Sequence, residues 1–153
     1  MSRFFDDCDG GAYQSSIRMV SLHHDPADEF PYASGFAADD SSTTYNHPLP
    51  SGTTWKQYSA ALAEVLDTHV GQWQPDFVVV AFGGGTFKLD SDVFPQSNRF
   101  ALEVDDYASM GAQIRAAVGA RPMLVTQEGG YCMEAIGHIV ARFLTGLAGH
   151  QRS

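Results

Sequence analysis

Three short strings carry most of the side chains able to do chemistry. Ser21-Leu22-His23-His24-Asp25 sets two imidazoles beside a carboxylate, with Asp28 and Glu29 just downstream. That is the donor set of a metal cluster. Gly83-Gly84-Gly85-Thr86 is a glycine run of the kind whose backbone amides can cradle a phosphate. Gln127-Glu128-Gly129-Gly130-Tyr131 offers a carboxylate, two glycines and a phenol, and Cys132 follows.

Each string also has a structural reading. Neighbouring strand residues point to opposite faces, so His23 and His24 rarely share one ion, and a buried His23 beside a solvated His24 accounts for the pair. The glycine run leads into a loop bearing aspartate and proline, where dinucleotide and P-loop sites need a helix N-terminus. Cys132 stands at a helix start with no evident histidine partner and reads as a structural thiol. Ala37-Ala38-Asp39-Asp40 reads as a solvated acidic loop.

The elements that position these strings alternate. Ile17 to His23 reads as a strand, and residues 24–53 as a long irregular segment rich in Pro, Asp, Ser and Thr. Thr54 to about Gly71 has helical spacing, with Trp55, Tyr58, Leu62, Val65, Leu66 and His69 on one face and Ser51 or Thr53 as a cap. Phe77 to Phe82 is apolar on both parities, the pattern of a parallel strand buried on both faces. A loop from Lys88 to Glu103 follows. A helix then opens at Asp105 with Tyr107, Met110, Ile114 and Val118 inward. Pro122 to Thr126 is a third strand. The last helix starts near Cys132, with Ile136, Ile139, Val140, Phe143, Leu144 and Leu147 inward.

This order predicts a three-layer α/β fold, a parallel sheet core with helices on both faces and right-handed crossovers. The boundaries are a lead over residues 1–16, irregular or a short strand, and one domain over 17–150. In open parallel sheets ligands bind beyond the carboxyl ends of the strands. The three strand ends therefore nominate His23, His24, Gly84, Gly85, Gly129 and Gly130 as a candidate site for a small molecule.

The composition narrows the partners. The chain has 153 residues, 44% of them apolar and 18% charged, the composition of a folded globular domain. Its net charge of −9 leaves no basic stripe for nucleic acid and disfavours anionic membrane. No apolar run is long enough to span a bilayer. Two cysteines, Cys8 and Cys132, make no disulfide scaffold. With no signal-like N-terminus, a cytoplasmic protein is the expectation.

Five strings in order, VSLHHDP from Val20, FPYASGFA from Phe30, YNHPLPSGTTWKQY from Tyr45, PDFVVVAFGGGTFKLD from Pro75 and VTQEGGYCMEAIGHIVARFLTGL from Val125, carry a resemblance. They resemble the C-terminal half of the histone deacetylase and acetylpolyamine amidohydrolase family, from about Ile17 to the end of the chain. The resemblance implies a truncated arginase-like fold and, for the family, zinc-dependent hydrolysis of acetyl-lysine or acetylpolyamine amides. It places Tyr131 at the tyrosine that polarises the scissile carbonyl, and Gly129 and Gly130 beside the acyl channel. Ser21 and Leu22 match positions that help bind a structural potassium ion, without the Asp and His that complete that site.

The departures from the family pattern set the functional expectation. Gly85 stands where the family's G-x-D-T motif supplies an aspartate ligand to zinc. Asp7-Cys8-Asp9-Gly10-Gly11 is similar to a D-x-D motif followed by glycines, but no ligand histidine follows, and no ligand is assigned to Asp9. The family's paired general acid/base histidines belong to the half not matched here. Zinc needs three or four ligands to bind tightly and activate its water. The resemblance therefore implies no zinc and no metal site, with Tyr131 and its glycines retained for the fold, the tyrosine filling space.

The expectation is a truncated deacetylase-like protein without deacetylase activity, acting as a binding or assembly module. The alternative is a zinc-dependent amidohydrolase completed by another chain, or a repurposed site at the strand ends. A homodimer or higher homo-oligomer is also expected. Phe4 and Phe5, and the group Phe30, Tyr32 and Phe36, have no evident partner within the chain, and exposed apolar patches mark interfaces. Arg3-Phe4-Phe5 is a candidate short strand.

Overall fold

The computed structural model describes residues 16–30, 32–90, 93 and 99–149. The chain divides into two compact units, Met1–Pro50 and Ser51–Ser153. The proposed strand at Arg3-Phe4-Phe5, and with it Cys8 and Asp9, lies outside the described residues.

In the first unit, β1 (Met19–His24) pairs in parallel with β2 (Thr44–Leu49), from Met19 opposite Thr44 to His24 opposite Leu49. β2 corrects the expectation that residues 24–53 are irregular throughout. Its sequence, Thr-Tyr-Asn-His-Pro-Leu, has no apolar run and contains Pro48. Proline is tolerated on a strand whose amide edge is unpaired, and β2 has only β1 as a neighbour among the described residues.

The connection is held by its own polar side chains. Asp39 accepts the N–H groups of Gly35 and Phe36 at 2.8 and 2.9 Å across a short 3-10 turn, Ala37–Asp39. Asp40 accepts the backbone and side-chain N–H of Asn46, and Ser41 Oγ accepts the N–H of Thr43 and Thr44. The composition that reads as loop is what orders it.

The second unit runs α1 (Trp55–Leu66), β3 (Val78–Gly83), α2 (Asp106–Val118), β4 (Met123–Glu128) and α3 (Ile136–Leu147). The cap of α1 is Thr54, in place of Ser51 or Thr53. Its N–H and hydroxyl both donate to Gln57 Oε1 at 2.9 and 2.8 Å. Thr53 is buried instead, and its carbonyl accepts the N–H of Ala101. A π-helical stretch, Asp67–Gln72, extends α1 and keeps His69 and Val70 buried.

β3 and β4 pair in parallel from Val78 opposite Met123 to Gly83 opposite Glu128. The α/β order with parallel pairing is as expected. Among the described residues, however, four strands replace the three, as one two-stranded sheet in each unit. One face of the β3–β4 pair meets α2 and α3: Phe82 stacks on Phe143 at 4.0 Å between ring centroids and meets Tyr107 edge-on at 5.9 Å. The expected burial of Phe77–Phe82 on both faces is not found, because Phe77 and Val79 are exposed.

α2 and α3 touch backbone to backbone. A Cβ on Gly111 would collide with the Phe143 carbonyl, and one on Gly146 with the Ala108 carbonyl. Glycine within a helix costs about 1 kcal/mol relative to alanine, and here it permits that approach. Tyr107, Met110, Ile114 and Val118 are buried as their spacing predicts, as are Ile139, Phe143 and Leu147. Leu144, expected inward, is 49% exposed, because the apolar stripe of α3 is wider than the surface it covers.

Candidate functional site

The loops after β3 and β4 are knitted at two glycines. A Cβ on Gly84 would lie 2.7 Å from Ile136 Cδ1 and 3.2 Å from Gly130 Cα. Gly130 has φ +110°, and its own Cβ would lie 2.6 Å from Ile136 Cδ1 and 2.9 Å from Gly84 Cα. Gly84 N–H donates to the Gly129 carbonyl at 3.2 Å. The strand ends therefore meet in the space two missing side chains leave. Gly85, one residue on, has open space where a side chain would go.

Asp90 and Tyr107 support these loops, and neither is singled out by sequence as a site residue. The buried Asp90 carboxylate accepts the Tyr131 N–H at 2.6 Å. Tyr107 lies in the core, where its hydroxyl shares a 2.9 Å hydrogen bond with Thr86 Oγ1. Burial drives the Tyr107 hydroxyl well above the usual phenol range, so it stays protonated. The available signal for Asp90 is slight, an acid that follows Phe87-Lys88-Leu89 four residues after Thr86.

Tyr131 is 54% exposed, with its ring packed back over Gly129. This corrects the space-filling role: a ring so open fills no core. Cys132 precedes α3 by a turn, and its thiol lies 3.8 Å from Glu134 Oε2.

Of the nominated site residues, Gly84, Gly85, Gly129, Gly130 and Tyr131 belong to the second unit and lie at the ends of β3 and β4. His23 and His24 belong to the first. His23 Nε2 bonds the Gly35 carbonyl at 2.8 Å, which requires hydrogen on that nitrogen. Nδ1 and the Ser21 hydroxyl share a second hydrogen bond at 2.8 Å. Ser21 and His23 share one face of β1 because they are two residues apart. That face, with Ser34, Gly35, Asp39, Thr44 and Asn46, lines an open cleft of about 370 Å³. Both histidines are half-buried, so His24 is not the solvated residue its neighbour pattern suggests. Tyr32, expected to lack an intrachain partner, donates its hydroxyl to Glu29 at 3.1 Å.

The matched region identifies the lineage. The family model for the histone deacetylase domain matches residues 7–147. The chain belongs to the histone deacetylase family. Within it, the chain is 36% identical over 141 residues to an acetylpolyamine amidohydrolase of Mycoplana ramosa, covering 89% of this chain and 39% of that protein. It is 33% identical over 144 residues to acetylpolyamine amidohydrolase 1 of Pseudomonas aeruginosa, covering 91% and 39%. Among solved structures, acetylpolyamine aminohydrolase of Burkholderia pseudomallei superposes with a TM-score of 0.75 at 25% identity, covering 88% of this chain and 38% of that one. The chain thus spans about two fifths of the length of the curated relatives it matches.

The deacetylase zinc is tested against the donors present. Gly85 offers no side chain at the position the resemblance gives to an aspartate ligand. Among the described residues no three His, Cys, Asp or Glu side chains come together. The residues described do not fit a tightly held zinc ion.

Proposed function

We propose that this chain is a deacetylase-family segment that binds or assembles and does not hydrolyse acetyl amides by itself. The observation that carries the reading is Gly85. The space around it would admit a side chain, yet the sequence places none there. A tyrosine donor such as Tyr131 stabilises an oxyanion only where a nucleophile generates one. The acids and glycines around it are explained by loop architecture, since Asp90 fixes the Tyr131 backbone and Gly84 packs on Gly130.

A second reading, an amidohydrolase completed by another chain, is favoured by one feature. The exposed Tyr131 is held by a buried carboxylate, as a positioned donor would be. Turnover of acetyl-lysine peptides and acetylpolyamines by the wild type and by Tyr131→Phe, each alone and co-expressed with the unmatched part of the Mycoplana ramosa relative, separates the two. The proposal expects none above background in either. Turnover that falls about 100-fold in Tyr131→Phe, the scale of a lost oxyanion donor, establishes the second reading.

A further inference from the structure

We draw no further inference here: the strongest candidate, the open cleft over β1 and β2 lined by Ser21, His23, Phe30, Asp39 and Asn46, belongs to the candidate site already described, and nothing in the structure shows what fills or covers it.

Discussion

The Asp90 carboxylate accepts the backbone N–H of Tyr131 at 2.6 Å and so joins the loop after β3 to the loop after β4 across 41 residues of sequence. It does this from a site only 1% exposed. A buried carboxylate is tolerated where its hydrogen bonds replace water, and bonds to a charged acceptor are worth about 1.5–3 kcal/mol.

Asp90→Ala should therefore destabilise the second unit by about 2–3 kcal/mol and expose the Tyr131 amide. Asp90→Asn, which keeps an acceptor oxygen, should cost less than half as much. Urea unfolding measures both, and hydrogen exchange at Tyr131 reports the loop directly. Equal losses in the two variants would show that the interaction is not the one described.

The Gly84–Gly130 contact sets a second expectation. Gly130→Ala places a methyl group against Ile136 and the Gly84 backbone at φ +110°. The overpacking and left-handed strain together should cost about 2–4 kcal/mol. Gly85→Ala, with open space around it, should stay within about 0.5 kcal/mol of wild type. Thermal melts of the two variants check the contrast, and similar shifts for both would refute the packing.

Alkaline pH should unfold the protein through Tyr58. An unfolded tyrosine ionises near pH 10, whereas burial raises the Tyr58 hydroxyl to about 12. Between those values the native state keeps a proton that the unfolded state releases. Stability is thus intact below pH 10 and falls as pH rises toward 12. Tyr107 is shifted in the same direction by burial. Ultraviolet titration should show phenolate absorbance rising together with loss of structure, and Tyr58→Phe should flatten part of the pH dependence. Full ionisation of every tyrosine before any unfolding would contradict it.

Much of the second unit is legible in the sequence because burial there follows simple periods. Tyr107, Met110, Ile114 and Val118 recur at helical spacing and are buried, and the apolar runs at 78–82 and 123–125 form paired strands. β2 is not legible, because Thr44–Leu49 has neither alternation nor an apolar run and takes its strand geometry from pairing with β1. The exposed part of β3 is not legible for the opposite reason. Val79 has the residue type of a buried position, yet it is 59% exposed.

At the candidate site the glycines are visible in the sequence but their reason is not. Gly84 and Gly130 are required by each other across 46 positions. Asp90 is an ordinary loop acid until the fold brings Tyr131 to it.

Zinc titration of the purified, metal-stripped chain tests the central claim most directly, with bound metal read by elemental analysis after desalting. The account predicts well under one-tenth of a zinc per chain at micromolar free zinc, and no chelator-sensitive release of acetate from acetylpolyamine. Retention of close to one zinc per chain, with acetate release that a chelator abolishes, would contradict it.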